Sequence, residues 1–377
     1  MKILVSCLSN SWGGMEMFAV SSLKLLIESG YIAHLACIKE SPIEQITREL
    51  PIHRALFRNS AKTPVNILKM SGNLSGRRYD IIHTHASKDL WIIVPALKLL
   101  RLPAPIVMTK HVGSAITKKD PLHNLIYKRL DHVIAISNVI RENTIDTTSI
   151  DGEKVTVINN FVDLVKYRRI KDVSSLREEF NIGTSTIVLG LVGRITPGKG
   201  HSDVIEAVRL LSDGKPDIKI IIAGGSSENE KDFENRLRNQ VKEYNLEDYI
   251  IFTGYRNDIP ELLSMFDIFL FPSHNEAFGL ALLEAMAVGI PNIVCFSDGV
   301  KDIAVKDVTS LTYDKGHPET LSVQISRLIN NSQLREKLSY NSSERAKLFS
   351  AEIFQRKIDR LYQDLINKAD KKDKKKR

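Results

Sequence analysis

Short apolar runs alternate with longer amphipathic segments along most of this chain, and the alternation predicts an α/β fold. The run KILVSCL (2–8) is typical of a strand that is buried on both faces, as in a parallel sheet. A helical pattern follows at about 16–28, after a loop that contains two glycines. Further strands are predicted at 32–38, 52–57, 80–85, 105–109, 132–135 and 154–158, and helices at 42–50, 64–75, 88–101, 121–130 and 137–147. This order of elements is typical of a doubly wound domain.

A second series of the same kind follows a charged stretch. KYRRIKD (166–172) is dense in charge and has no strand pattern, so we interpret about 163–180 as the connection between two domains. After it, TIVLGLVGR (186–194) starts a new succession of strand, loop and helix. The length of 377 residues also favours two domains. The predicted boundaries are 1–165 for the first domain and 180–350 for the second.

Composition and charge narrow the class of protein. The net charge of +8 favours acidic partners such as nucleotide phosphates, nucleic acid or an anionic membrane surface. Nucleic acid is the weakest of these, because the sequence has neither interleaved aromatic residues nor a helix-turn-helix pattern. No apolar run reaches the ~18 residues of a membrane span, and the apolar part of the N-terminus is too short for a signal peptide. We therefore expect a cytoplasmic protein.

The cysteines and histidines of the chain indicate neither a disulfide nor a metal site. Cys7, Cys37 and Cys295 lie in separate apolar runs, so we expect reduced cysteines in the core. His83 and His85 alternate onto one face of the strand in DIIHTHAS and could bind a metal ion, but no third ligand is evident.

The segment EAFGLALLEAMAVGIP (276–291) carries two carboxylates in apolar surroundings. It follows the short apolar strand of DIFLFPS (267–273), so Glu276 is predicted in a loop and Glu284 on the helix after it. A carboxylate among Leu, Ala and Met is unfavourable unless hydrogen-bond donors surround it, and ligand hydroxyls are such donors. A capping Glu276 and a solvated Glu284 on a core helix explain the pattern equally well.

A second candidate site lies in the loop GRITPGKG (193–200). Gly193, Arg194 and Lys199 converge on a predicted helix start, which is typical of an anion site, because arginine, lysine and free backbone N–H groups all favour negative charge. The loop also fits the start of a P-loop, G-x-x-x-x-G-K. The next residue in a P-loop is Ser or Thr, whereas here it is Gly200, so a P-loop is disfavoured.

Two loops of the first half are weaker candidates. Gly13 and Gly14 precede a predicted helix and could seat a phosphate or a sugar, although a tight turn is the commoner explanation. His111 ends the strand in IVMTKHVGS (106–114), and ligands of open α/β sheets lie beyond the carboxyl ends of the strands.

The two glutamates are separated by seven residues around Phe-Gly and are followed by Ala-Met-Ala-x-Gly-x-Pro. This segment resembles the E-x7-E signature of the family 4 retaining glycosyltransferases. The resemblance implies the GT-B fold, in which two doubly wound Rossmann-like domains face each other across a cleft. The first domain, completed by a C-terminal helix at about 351–367, would present the acceptor. The second would hold a nucleotide-diphosphate sugar.

The resemblance also assigns roles to residues. Glu276 would lie against the donor sugar, Arg194 and Lys199 would neutralise the departing diphosphate, and His111 would lie close to the transferred sugar. Glu284 would hold the ribose. The loop of Gly13 and Gly14 would face the donor phosphates and the acceptor. The other donor-binding positions implied are Gly193, Phe278, Gly279, Leu280, Tyr255 and Arg256.

The expected function is that of a retaining hexosyltransferase with a UDP- or GDP-linked donor and a glycan or lipid-linked acceptor. Bacterial cell-surface polysaccharide or lipopolysaccharide synthesis is the expected setting. No D-x-D motif is evident, so neither a metal nor another cofactor is expected. A GT-B sugar-nucleotide epimerase and a non-catalytic sugar-nucleotide-binding subunit are the alternatives.

The C-terminal residues 368–377 contain seven basic and two acidic residues, a net charge of +5. We expect a disordered tail. It could contact anionic lipid on the inner face of the cell membrane, or serve only to increase solubility.

Overall fold

The computed structural model describes residues 1–61, 63–212, 214 and 216–374, the last three of these without side chains. The chain divides into two compact units. The first comprises Met1–Asn160 and the chain from Ala351 onward, and the second comprises Phe161–Ser350. Each unit is built around one parallel sheet. This agrees with the predicted α/β class.

The sheet of the first unit has seven strands in the order β3-β2-β1-β4-β5-β6-β7, and all its neighbouring strands are parallel. Residues on both faces of β1 are buried, because helices cover the two sides of the sheet. The strands are β1 (Lys2–Cys7), β2 (Ile32–Ile38), β3 (Arg54–Phe57), β4 (Ile81–Thr84), β5 (Ile106–Lys110), β6 (His132–Ala135) and β7 (Val155–Val157). The helices between them are α1 (Gly14–Glu28), α2 (Pro42–Ile46), α3 (Pro64–Leu74), α4 (Leu90–Leu100), α5 (Pro121–Tyr127) and α6 (Asn138–Thr147).

The sheet of the second unit has six parallel strands in the order β10-β9-β8-β11-β12-β13. In both sheets the strand order reverses beside the first strand of the unit, and loops that follow strands at such a point form binding crevices. The strands are β8 (Ile187–Val192), β9 (Ile218–Ala223), β10 (Ile250–Gly254), β11 (Ile268–Phe271), β12 (Asn292–Cys295) and β13 (Ser310–Tyr313). The helices are α7 (Ser174–Glu179), α8 (His201–Ser212), α9 (Lys231–Glu243), α10 (Ile259–Met265), α11 (Leu280–Val288), α12 (Val300–Ile303), α13 (Pro318–Ile329) and α14 (Ser332–Lys347).

The segment that the sequence analysis interprets as a connection belongs to the second unit. The Ile170 N–H donates to the Ser264 hydroxyl at 3.0 Å, and Arg169 donates to the Gly289 carbonyl. The unit therefore starts at Phe161 rather than near residue 180. The sequence did not indicate this packing, because the segment is charged and its polar contacts are with residues far away in the chain.

The last helix, α15 (Ala351–Lys374), packs on the first unit. It buries Phe354, Ile358, Tyr362 and Leu365. The helix extends beyond the predicted end at 367, so 368–374 is helical where a disordered tail was expected, while 375–377 lies outside the described residues. Lysine is a good helix former and is favourable near a helix C-terminus, and adding a turn to an existing helix needs no new nucleation.

Two further expectations concern the core and the membrane. Cys7, Cys37 and Cys295 are buried and unpaired, as predicted. Over the part of the chain that the structure describes, no helix is both long and apolar enough to cross a membrane.

Candidate functional site

The E-x7-E segment has the predicted arrangement of strand, loop and helix. β11 ends at Phe271, Glu276 lies in the loop that follows, and Glu284 lies in the second turn of α11. The residues flanking α11, Gly279 and Gly289, have φ of 107° and 78°, which favour glycine. Gly279 therefore permits the sharp entry from the loop into the helix.

Glu276 and Lys199 form a largely buried ion pair in the second unit. The Lys199 Nζ lies 2.5 Å from the Glu276 Oε2, and the side chains are 31% and 15% exposed. The Ser273 hydroxyl donates to the same oxygen at 3.2 Å. The backbone N–H of His274 donates to the Gly198 carbonyl at 2.8 Å, which joins the two loops. The structure thus brings together two residues that the sequence analysis assigns to different parts of a donor.

A neighbouring hydrogen-bond network, not predicted from the sequence, holds the same two loops. The His274 Nε2 lies 2.6 Å from the Asp203 Oδ2, and the Tyr313 hydroxyl donates to that oxygen at 3.0 Å and to the Pro272 carbonyl at 3.2 Å. Asp203 lies in the first turn of α8, directly after the lysine loop. The three side chains are 39 or more positions apart pairwise, so no local sequence pattern points to them.

Arg194 lies directly beyond the carboxyl end of β8, where its side chain is exposed. Hydrogen bonds from Ser227 and Thr196, together with the positive charge of Arg194, lower the pKa of Glu230. A Cβ atom on Gly224 would come within 1.8 Å of the Gly193 carbonyl oxygen, so the loops after β8 and β9 touch through their backbones. Arg194 is thus an exposed cation beside the point where these two loops meet.

Glu284 has a tyrosine partner that the sequence analysis did not anticipate. The hydroxyl of Tyr167 donates a hydrogen bond to the Glu284 carboxylate. Burial raises the pKa of Glu284 from its usual 4.5 to about 7. Burial likewise raises the pKa of Tyr167. The only signal in the sequence was an aromatic residue within the charged stretch 166–172.

The remaining predicted positions of the second unit differ in accessibility. Phe278 is 2% exposed and packs against Phe349 with ring centroids 6.0 Å apart, so its side chain belongs to the core. Leu280 is partly buried at the start of α11. Tyr255 is 69% exposed, whereas Arg256 pairs with Asp258 and Glu179. These two acids occupy the guanidinium of Arg256, and their hydrogen bonds raise its pKa. A direct role of Arg256 in binding a donor stays a prediction.

The segment 298–302 contacts the loop of Glu276. The Gly299 N–H donates to the Glu276 carbonyl at 2.9 Å. A Cβ atom on Gly299 would lie 2.2 Å from the Ala277 carbonyl oxygen, so only glycine fits this approach. The backbone here therefore supports the loop that carries the carboxylate.

In the first unit, Gly13 and Gly14 form the entry to α1. Gly13 is the N-cap residue in an extended conformation, and α1 starts at Gly14. Glu16 is buried in the first turn and accepts a hydrogen bond from the Ser9 hydroxyl at 2.6 Å. The start of a 15-residue helix thus lies at the carboxyl end of β1, where backbone N–H groups favour an anion.

Three buried histidines lie where β4 and β5 end. The His85 Nδ1 lies 3.0 Å from the His111 Nε2, and the His83 ring stacks on His85 with centroids 4.6 Å apart. The two nitrogens of His83 lie 2.6 Å from the Tyr362 hydroxyl and 2.7 Å from the Thr109 hydroxyl. Burial lowers the pKa of His83 and of His111 to about 3. All three are therefore neutral at pH 7.

His83 and His85 do not form a metal pair, because both nitrogens of His83 already have hydroxyl partners. Within the described ranges, no three His, Cys, Asp or Glu side chains are grouped in a way that could hold a metal ion.

Two further polar groups near these strand ends escaped the sequence analysis. Asp89 is fully buried and accepts hydrogen bonds from the Ser6 hydroxyl at 2.8 Å and the Leu8 N–H at 3.0 Å. Burial raises the pKa of Asp89 to about 6 and lowers that of Lys110 to about 8. The carboxylate of Asp89 thereby ties β1 to the start of α4.

Comparisons with known proteins agree on one family. The family model described as "Glycosyl transferases group 1" matches residues 172–345, and the one described as "Glycosyltransferase Family 4" matches residues 12–166. The two matches together span both structural units.

Two curated relatives are similar over most of their length. The UDP-Gal:alpha-D-GlcNAc-diphosphoundecaprenol alpha-1,3-galactosyltransferase of Escherichia coli is 28% identical over 305 residues, which cover 76% of this chain and 77% of the relative. The N-acetyl-alpha-D-glucosaminyl L-malate synthase of Bacillus anthracis is 28% identical over 306 residues, which cover 79% of this chain and 78% of the relative.

A solved structure agrees in fold. The Anabaena protein HepE, in complex with UDP-glucose, superposes with a TM-score of 0.83 at 23% identity, over 97% of this chain and 100% of HepE.

Proposed function

The chain belongs to the family 4 glycosyltransferases (glycosyl transferases group 1), and on this premise we propose that it is a retaining hexosyltransferase in cell-surface glycan synthesis. Its donor is a uridine- or guanosine-diphosphate sugar, and its acceptor is a glycan or a lipid-linked sugar. The relatives named above transfer sugars to lipid-diphosphate and small-molecule acceptors, as their names state. Their activities support the class of reaction, while the acceptor of this chain is part of the proposal.

The contact between Lys199 and Glu276 carries the proposal. An ammonium group has three N–H donors, so Lys199 can hold Glu276 and still donate to a diphosphate. Exposed Arg194, in the same loop after β8, adds a second cation. Two cations at the place where a diphosphate leaves stabilise the negative charge that develops in the transition state.

In the proposed reaction, the bond between the anomeric carbon and the diphosphate breaks, and a bond to the acceptor oxygen forms on the same face of the sugar. The acceptor proton passes to the leaving diphosphate, so no separate base is assigned. Glu276 holds a sugar hydroxyl and stabilises positive charge on the ring. Neither a metal nor another cofactor takes part, because Arg194 and Lys199 supply the positive charge that a metal supplies elsewhere.

Glu284 is proposed to hold the ribose of the donor. Its carboxylate accepts a hydrogen bond from Tyr167, and two ribose hydroxyls can donate to the remaining lone pairs. The complex of HepE with UDP-glucose supports a uridine nucleotide as the first ligand to test.

Peripheral contact with a membrane is the second part of the proposal. Beyond His111, four apolar side chains are more than half exposed, interspersed with exposed Lys119 and Lys128. They are Val112, Ile116, Leu122 and Leu125. Apolar side chains can insert between lipids, and each lysine near an anionic membrane surface contributes roughly 1 kcal/mol of attraction. Together they would hold the first unit near a lipid-linked acceptor.

A sedimentation assay with vesicles that contain anionic phospholipid tests this contact. Ile116→Ser with Leu122→Ser should abolish binding, whereas Leu99→Ser, at a site 60% exposed on α4, should not. Equal binding by the parent, the double variant and Leu99→Ser would remove the membrane surface from the proposal.

The donor site is tested by thermal shifts with UDP, GDP, ADP and CMP and their sugars, with and without EDTA. A ligand at about 100 times its Kd should add roughly 2.7 kcal/mol to the free energy of unfolding. A shift with one nucleoside diphosphate that EDTA does not change is expected. Loss of the shift in EDTA would contradict the metal-free site, and no shift at all would contradict donor binding. Conversion of the donor in the absence of any acceptor would point to an epimerase instead.

A further inference from the structure

The pair formed by His85 and His111 lies at the carboxyl ends of two adjacent strands in the first unit. His85 follows β4 and His111 follows β5, and these strands are paired in the sheet. The His85 Nδ1 lies 3.0 Å from the His111 Nε2, which is hydrogen-bond distance, and the rings are stacked with an interplanar angle of 28°. The position of the proton in this contact therefore determines whether the other nitrogen of His111 carries a proton or a lone pair.

The proton between the two rings can come from either side. Burial lowers the pKa of His85 and of His111, so both rings are neutral and each carries one proton. Either His85 donates from Nδ1 to a lone pair on His111, or His111 donates from Nε2 to a lone pair on His85. The first arrangement leaves the proton of His111 on Nδ1, and the second leaves its lone pair there.

The other nitrogen of His85 distinguishes these arrangements. The His85 Nε2 is buried and has no hydrogen-bond partner among the described residues. If His111 were the donor, the proton of His85 would lie on this nitrogen as a buried N–H group without a partner. Buried N–H groups without partners are rare in proteins, and an unused acceptor is tolerated better. The first arrangement is therefore favoured.

We propose that His85 is a positioning residue that donates its Nδ1 proton to His111 and thereby keeps the proton of His111 on Nδ1. The proposal rests on the function proposed above and on the expectation, from the family resemblance, that His111 lies close to the transferred sugar. His111 then offers the substrate an N–H donor, on the nitrogen turned away from His85, which suits a sugar oxygen as the acceptor. With its proton on Nε2, His111 would offer a lone pair instead.

The surroundings of His85 prevent its ring from turning. His83 stacks on one face, and the Phe18 ring lies edge-on with centroids 6.3 Å apart. His83 is itself held between the hydroxyls of Tyr362 and Thr109. A row of rings in contact therefore extends from Tyr362 on α15 through His83 and His85 to His111.

Three variants separate positioning from folding. His85→Asn retains an amide N–H close to the place of Nδ1, whereas His85→Leu removes the donor. His132→Leu is the matched control, because His132 is a buried histidine of the same sheet that bonds to Thr156 on the neighbouring strand. Each protein is labelled with ¹⁵N-histidine, and long-range ¹H–¹⁵N correlations show which ring nitrogen carries the proton.

In the parent and in His85→Asn, His111 should be protonated on Nδ1. In His85→Leu, the signal of His111 should change to the Nε2 form or to a mixture, and His132→Leu should leave it unchanged. Protonation of His111 on Nε2 in the parent would overturn the proposal. This measurement needs no enzymatic activity, so its result does not depend on whether the proposed function is correct.

Kinetics provide the second measurement. The kcat/KM of His85→Leu for sugar transfer should fall by on the order of 10²-fold, because a misplaced group at the reacting centre has effects of that size, and His85→Asn should retain most of the activity. Equal losses in His85→Leu and His132→Leu would reduce His85 to a structural residue. Absence of transfer in the parent would count against the proposed function alone.

Discussion

The Lys199 ammonium and the Glu276 carboxylate lie 2.5 Å apart, although the two residues are 77 positions apart in the sequence. A carboxylate that is 15% exposed would be poorly solvated without the lysine. The same lysine is proposed to donate to a diphosphate while it holds Glu276, and the remaining lone pairs of the carboxylate can accept from a sugar hydroxyl. At the residue scale, the proposed site therefore uses one ammonium group for both the carboxylate and the diphosphate.

Lys199→Ala should lower kcat by at least about 10²-fold, because it removes a cation from the developing negative charge. The substitution also leaves Glu276 unpaired, so a double-mutant cycle with Glu276→Gln separates the two effects. Steady-state kinetics on the four proteins measure the coupling. Lys347→Ala is the control, since this lysine pairs with a glutamate on an exposed surface of α14. Unchanged turnover in Lys199→Ala would contradict the assignment to the diphosphate.

The raised pKa of Glu284 predicts a dependence of stability on pH. The native state keeps a proton that the unfolded chain loses between pH 4.5 and about 7. The free energy of unfolding should therefore fall as pH rises through this window, by up to about 3 kcal/mol from this group, and then level off. Urea unfolding of the parent and of Glu284→Gln, compared at several pH values, measures the difference. Identical pH profiles would contradict the raised pKa of Glu284.

Nucleotide affinity should change in the opposite direction. In the proposed site the ionised form of Glu284 accepts hydrogen bonds from both ribose hydroxyls, so affinity for UDP-glucose should rise about tenfold between pH 6 and pH 8. A nucleotide sugar is a suitable probe, because its phosphates are esterified and lack the second ionisation near pH 6 of a phosphate monoester. Calorimetry on Glu284→Gln should give a flat profile, and Glu284→Ala should bind weakly at every pH. Parent-like affinity in Glu284→Ala would remove the role in ribose binding.

At the scale of elements, the lysine loop and the glutamate loop fit together through their backbones. Gly200 has φ of 72°, and a Cβ atom there would lie 2.0 Å from the Pro272 carbonyl oxygen. Pro272 directly follows β11, at the start of the loop that carries Glu276. Strands β8 and β11 are neighbours in the sheet, and this adjacency brings the two loops into contact.

Gly200→Ala should therefore displace the glutamate loop. Gly316→Ala is the matched control, because Gly316 has φ of 76° and nothing lies within 4 Å of its Cβ position. Both substitutions strain the backbone equally, so Gly200→Ala should lower the free energy of unfolding by roughly 1–3 kcal/mol more, from the steric conflict alone. It should also abolish the thermal shift with a nucleotide. Equal stability of the two variants would mean that the loop adapts to the methyl group.

At the scale of the whole molecule, the first unit depends on a helix that is distant in sequence. Phe354 of α15 packs on Phe18 with ring centroids 5.4 Å apart, and the Tyr362 hydroxyl bonds to buried His83. The second unit, in contrast, is continuous in sequence from Phe161 to Ser350. The two units should therefore respond differently to truncation.

Deletion of 351–377 should unfold the first unit and leave the second folded. The four apolar side chains that α15 buries contribute about 6–12 kcal/mol in total, which is comparable to the whole stability of a domain of about 5–15 kcal/mol. Calorimetry should show one cooperative transition after the deletion. Deletion of 368–377 alone is the control, because it removes charge and none of those four side chains. A native first unit in the longer deletion would contradict this dependence.

The sequence by itself determined the elements and the positions at which chemistry is concentrated. Apolar periodicity located the strands and helices, because burial imposes a repeat of two or 3.6 residues on neighbouring positions. Glycines at loop ends and charged residues beside them marked 193–200 and 276–291. Such signals are local, and a single sequence contains them in full.

Only the tertiary structure decided which side chains meet. Tertiary packing brought Lys199 to Glu276 and His85 to His111, placed Tyr167 against Glu284, and paired Arg256 with Glu179. The same packing placed α15 on the first unit. Periodicity is the same for any order of strands in a sheet, so these contacts depend on packing between distant segments, and no local pattern encodes them.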